Sequence, residues 1–177
     1  MPAYSATRPP VGEYSPYFGT YIDKVPDGDV IAVLEGGIGT TQKLLARVSE
    51  ERGGYRYAEG KWSLKEVLGH MSDTERIFAY RMLTFARGDA GPLPGFDENT
   101  YTPAQESDRV PFAVLLAEFE AVRAATLSLL RVLPPAAWER KGVASGNPLS
   151  ARAAAWIIAG HEIHHRRVLE ERYLTAP

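Results

Sequence analysis

The stretch Gly60–Asp89, GKWSLKEVLGHMSDTERIFAYRMLTFARGD, decides the fold. Val67, Met71, Phe78 and Met82 recur at the three- and four-residue spacings of one helical face. Ser63 and Glu66 form S-x-x-E, a capping box in which each side chain bonds to the other residue's backbone N–H, and Gly88 supplies a stop. The segment predicts a long helix. Upstream, after Pro26-Asp27-Gly28, Val30, Leu34, Ile38, Thr41, Leu45 and Val48 repeat the helical spacing. Gly36, Gly37 and Gly39 interrupt that pattern, and each costs about 1 kcal/mol of helix propensity relative to Ala, so a bend or a break is expected there. Downstream, a connection of about twenty residues, far longer than most in compact domains, has the length of a functional lid. A third helix is predicted from Pro111 to Leu133, stopped by Pro134-Pro135, and a fourth from Ser150 to about Tyr173 after the turn-like SGNP. No segment alternates with period two for long enough to predict a strand. Four such helices predict an all-α four-helix bundle over residues 27–177, preceded by an extended arm, 1–26, whose tyrosines pack on it.

Composition bounds the function. The chain has 177 residues, 45% of them hydrophobic and 24% charged, which suits one globular domain. A formal net charge of -2 and the lack of a basic block argue against a nucleic-acid partner. There is no cysteine, hence no disulfide, thiolate nucleophile or cysteine-ligated metal. No apolar run approaches the length of a membrane span and the N-terminus lacks a signal-peptide pattern, so a cytoplasmic protein acting on a small molecule is expected.

Three of the four histidines lie in GHEIHHRRVLEERY, residues 160–173. His161 and His165, four apart, project about 40° from each other on a helix, toward the side of Ala154, Ile157, Ile158 and Val168. Two imidazoles at that spacing can chelate one metal ion. His164 points about 60° to the other side of His161, where it could replace His165, support the site or line a cavity wall. His70, at the edge of the apolar stripe of its own helix, is the candidate third ligand. Arg166, Arg167 and the charges after them read as a solvated face.

Two charges fall where apolar residues belong. Glu75 interrupts the stripe of the second helix and Arg123 that of the third, so they are expected to meet as an interior ion pair that fixes helix register. The alternative makes Glu75 a general base beside the metal, but it points about 140° from His70. In the long connection, PGFDENTY (94–101) holds ordinary turn residues; its functional reading places Phe96, Asp97 and Tyr101 over the site, with Asp97 orienting a histidine or a bound water.

KWSLKEVLGHMSDTERIFAYRML (61–83), PGFDENTY (94–101) and AWIIAGHEIHHRRVLEERY (155–173) together resemble the DinB/YfiT-like superfamily, over roughly residues 25–175. That resemblance implies a four-helix bundle carrying one divalent metal ion, often zinc or nickel, on three histidines: His70, His161 and His165. It also implies open positions at the metal and a homodimer. Activities in the family include S-transferases and isomerases that use a low-molecular-weight thiol, bacillithiol or mycothiol, alongside proteins assigned as hydrolases. The leading expectation is a metal-dependent enzyme that acidifies a bound thiol or water, with His164 and Asp97 as candidates for proton transfer or support. Two others compete: a non-catalytic ligand-binding or stress-response module, and a structural role in which the histidines pair with carboxylates such as Glu162 or Glu170.

Overall fold

The capping box forms as the sequence requires. Ser63 Oγ accepts from the Glu66 backbone N–H at 3.0 Å and the Glu66 carboxylate accepts from the Ser63 N–H at 2.8 Å, which starts the longest helix at Leu64. The computed structural model describes residues 7–175. In chain order its helices are α1 (Gly19–Ile22), α2 (Val30–Leu45), α3 (Glu50–Gly53), α4 (Leu64–Ala86), α5 (Glu98–Ala104), α6 (Phe112–Arg131) and α7 (Ala151–Val168), with a π-helical extension at Leu169–Tyr173. Helices α2, α4, α6 and α7 are the four expected ones. They pack into the bundle, and among the described residues no helix is long and apolar enough to cross a membrane.

Several local expectations are corrected. Helix α2 runs unbroken through its glycines. The reason is visible at Gly37, where a Cβ would stand 2.7 Å from Glu162 Oε2: the glycine admits a buried carboxylate and does not mark a bend. The long connection contains α5, capped by Asp97, so it is partly helical. The described part of the arm is likewise not purely extended, since α1 lies in it. A hairpin, β1 (Lys141–Ala144) and β2 (Asn147–Ser150), pairs antiparallel with Gly142 opposite Leu149, where no strand was expected. Its turn places Ser145 and Gly146 at φ of 54° and 74°, the left-handed pair of a two-residue hairpin turn.

The apolar interior divides into two clusters. One gathers Leu34, Phe78, Leu127 and Ile158 with much of α7; the other gathers Leu45, Met71, Phe119 and Leu169. Each of the four long helices passes from one cluster to the other, and each carries polar residues at the crossing. The expected pair of Glu75 and Arg123 is there, and it is larger than expected. Arg123 donates from Nε and Nη2 to the two oxygens of Glu75 at 2.9 and 2.8 Å. Its Nη1 donates to Glu162 Oε2 at 2.7 Å and to the Leu34 carbonyl at 3.0 Å. The Thr41 hydroxyl donates to Glu162 Oε1 at 2.6 Å. Arg123, Glu75 and Glu162 are only 1%, 2% and 3% exposed. Burial works against the arginine's charge, but the bonds and charges of Glu75 and Glu162 outweigh it and hold the pKa above the usual value.

Removing one member of such a network leaves the others buried and unpaired, at a cost of about 3–5 kcal/mol. Arg123→Met is therefore expected to lower the unfolding free energy in urea by about that much. Arg131→Met, which breaks the exposed Arg131–Glu35 pair, should change it by less than about 1 kcal/mol. Equal costs would contradict the buried role.

Candidate metal centre

Helix α4 carries His70 and α7 carries His161 and His165, and the two helices face each other. The Nε2 atoms of His70 and His165 each lie 3.0 Å from His161 Nε2. The ring centroids stand 4.9, 4.9 and 4.4 Å apart. One nitrogen from each ring falls within 4.8 Å of the others, and no carboxylate among the described residues joins them. The three rings converge and do not pair with Glu162, whose oxygens are occupied by Arg123 and Thr41.

This donor set fits a divalent cation. His161 Nε2 offers either one proton or one lone pair, so it cannot satisfy two neighbouring nitrogens at once. An ion that accepts three lone pairs at about 2 Å would separate its imidazole nitrogens by about 3 Å. Protonation does not compete strongly for those lone pairs. Burial pushes His70 down to about 4, with Glu98 and Asp73 pulling the other way. Burial, followed by the neighbouring histidines, pushes His161 and His165 well below the ordinary histidine range. Neutral imidazole is the form that ligates metal. Three protein ligands leave coordination positions open, the arrangement of catalytic sites.

The surroundings were only partly foreseen. Gly160 precedes His161 because a Cβ there would stand 2.2 Å from the Tyr21 carbonyl oxygen; the glycine lets α1 press onto α7. That contact lays the Tyr21 ring against His161 and His164, at centroid distances of 5.4 and 5.5 Å. Trp62 packs on the other side, 4.8 Å from the His70 ring. His165 Nδ1 is buried without a hydrogen-bond partner, so His165 is oriented by its ring contacts with His70, His161 and His164. His164 flanks the cluster, half-buried, with its pKa lowered by burial and then by Lys24 and Arg167. Asp97 is not brought to the histidines. Its carboxylate accepts from the Asn99 N–H at 2.9 Å and the Thr100 hydroxyl at 3.1 Å, capping α5. Phe96 does face the site, while Tyr101 is exposed and rests on Phe96. Arg166, expected on the solvated face, is half-buried, with Nη1 3.8 Å from Glu162.

A cavity of about 370 Å³ opens over His70 and His161. Thr74, Arg81 and Glu98 also line it, and none of the three was singled out from the sequence. The signal was present for two of them: Thr74 and Arg81 lie four and eleven residues after His70, about 40° and 20° from it around the helix.

The combination of bundle and histidine site defines a class, and residues 34–169 match the DinB superfamily, to which the chain belongs. Among solved structures it is similar to YfiT from Bacillus subtilis, "a probable metal-dependent hydrolase with an unusual four-helix bundle topology". The match has a TM-score of 0.72 and 19% identity, and covers 80% of this chain and 82% of that one. It is also similar to a mycothiol-dependent maleylpyruvate isomerase, at a TM-score of 0.66 and 15% identity, covering 78% of this chain. The chain spans 58% of that enzyme's length. A mutant of the isomerase matches with a TM-score of 0.67, 15% identity and coverage of 84% and 60%. At these identities the likeness shows the fold. None of the curated proteins compared with this chain matches it in sequence.

Two results are expected. Protein purified without a nickel column should retain about one equivalent of divalent metal, and His161→Ala should retain less than a tenth of that; equal contents would remove the site. After chelation, stability should fall as pH drops from about 6.5 toward about 4, because the unfolded chain takes up protons that buried His70 resists. In His70→Gln that slope should flatten, as followed by thermal melts.

Proposed function

We propose that this protein is a metal-dependent enzyme in which His70, His161 and His165 hold a divalent ion, zinc or nickel, at the floor of a small-molecule cavity. The observation that carries the proposal is the convergence of three neutral imidazoles, with no fourth protein ligand among the described residues, beneath a cavity of about 370 Å³. Such an ion, when bound, acidifies a coordinated thiol or water toward neutral pH. The chain's own residues do the rest. Three uncharged ligands leave the ion's charge undiminished, while Tyr21 and Trp62 pack against their rings and restrict access of bulk water. Low-molecular-weight thiol transfer, of the bacillithiol or mycothiol kind, is the leading activity. The mycothiol dependence of the structurally similar isomerase supports it.

Hydrolysis is the second reading, and one observation favours it. Glu98 lines the same cavity as His70, where it would take a proton from water, the part expected of Asp97. His164 remains a candidate for the same proton traffic from the Tyr21 side. A non-catalytic module is less well supported, because the cavity is open and the ligand set is incomplete. The protein is further proposed to work as a homodimer, for which the exposed Tyr80 and Leu83 of α4, beside Leu129 of α6, offer an apolar face.

A panel of low-molecular-weight thiols assayed with a generic electrophile, with and without a chelator, tests the leading reading. Turnover with at least one thiol is expected to fall at least tenfold on chelation and to return with added zinc or nickel. Chelator-insensitive turnover would contradict it, and Glu98→Gln should lower ester hydrolysis selectively if water is the nucleophile.

A further inference from the structure

Two arginines are buried almost equally in this protein, and they are treated differently. Arg123, 1% exposed, is matched by two carboxylates. Arg81, 3% exposed, has no carboxylate within ion-pairing reach among the described residues. Its Nη2 donates to the Pro94 carbonyl at 2.9 Å and the Ser145 hydroxyl at 3.0 Å, both neutral. Its guanidinium carbon lies 5.0 Å from the Phe78 ring centroid and 5.9 Å from that of Phe96, so apolar rings flank it. A buried cation without a counter-charge is expensive unless something completes it. Burial accordingly lowers its pKa from the ordinary arginine value.

The placement is built, not incidental. The Leu93 N–H donates to the Val143 carbonyl and the Ser145 N–H to the Leu93 carbonyl, at 2.9 and 3.1 Å. The β1–β2 hairpin thereby clamps the connection after α4 and brings Ser145 and Pro94 to one edge of the guanidinium. The same cavity contains a second unmatched group. Thr74, 3% exposed, lies between His70 and Arg81 along α4, and its hydroxyl has no hydrogen-bond partner. A buried hydroxyl left unpaired costs about 1–3 kcal/mol and calls for a missing partner.

We propose that Arg81 and Thr74 form the recognition end of the cavity for a small organic acid, with the carboxylate on Arg81 and the reacting end toward the histidines. Arg81 follows His70 by eleven residues, about 16 Å along the helix, and its side chain leans back toward the N-terminus over Phe78. That leaves ~10 Å between guanidinium and histidine nitrogens. Glu98 lines the same cavity, so an acid enters with its carboxylate away from the Glu98 carboxylate and toward Arg81. The orientation toward a reaction centre rests on the function proposed above; carboxylate binding at Arg81 does not.

Hexanoate, hexanamide and 6-mercaptohexanoate titrated calorimetrically into the full chain separate the two. Metal-free protein is expected to bind hexanoate at least tenfold tighter than hexanamide. Arg81→Met should lose that preference. Thr74→Val should weaken hexanoate binding several-fold while melting no lower than wild type, because its hydroxyl has no partner to lose. On zinc-loaded wild type, 6-mercaptohexanoate should bind at least tenfold tighter than hexanoate, and that gain should vanish in His161→Ala. No hexanoate binding at tens of millimolar, or equal binding of acid and amide, overturns the acid subsite. So does an unchanged preference in folded Arg81→Met; if that variant does not fold, unchanged affinity in Thr74→Val overturns it. Acid selectivity without the thiol gain leaves the subsite standing and removes the metal reading.

Discussion

The guanidinium of Arg123 ties the bundle together. From α6 it reaches Glu75 on α4, Glu162 on α7 and the Leu34 carbonyl on α2, while Thr41 of α2 closes on the far oxygen of Glu162. No other residue type offers this many donors in one rigid plane without losing its charge. An apolar belt would be no less stable in principle, since buried ion pairs spend much of their attraction on desolvation. What the charged belt adds is register: sliding α4, α6 or α7 by a turn would strand a charge in the interior. That constraint explains the glycine in α2, because only a residue without a Cβ leaves room for Glu162.

The histidine cluster depends on this belt. Glu162 adjoins His161 in sequence, so the bond that fixes the carboxylate also fixes the rotation of α7 and aims His161 and His165 at α4. Glu75 does the same for α4 and His70. With both carboxylates committed to Arg123, no anion is left among the three histidines. They stay neutral through burial, and their lone pairs stay available. The division is sharp over a short distance: the Glu75 and Glu162 carboxylates face Arg123 and stay out of the histidine cluster.

Much of this was legible in the sequence, for identifiable reasons. A capping box, an apolar stripe and two charges that break the stripe are local signals with strong energetic consequences. They gave α4, its partner helices and the meeting of Glu75 with Arg123. The i, i+4 pair of His161 and His165 was equally plain. Glu162 stood in the sequence only as a possible partner of the histidines, and only the fold shows that its face is the one turned to Arg123. The hairpin escaped because four-residue strands carry too little alternation, although the Ser-Gly turn inside SGNP marked it. Asp97 could be read either as a turn residue or as a group over the site, and its short side chain caps α5, as Asp ordinarily does at a helix start. The residues that shape the cavity, Thr74 and Arg81, share the face of His70 but needed the surrounding connection and hairpin to acquire meaning.

In the proposed metal centre the belt aims three imidazoles at one ion and leaves the rest of its coordination sphere to solvent or substrate. X-ray absorption spectroscopy on zinc-loaded protein addresses it directly. Three imidazole ligands are expected, completed by oxygen donors that exchange for sulfur when a small thiol is added. Two or fewer imidazoles, or a sphere closed by four protein side chains and indifferent to thiol, would contradict it.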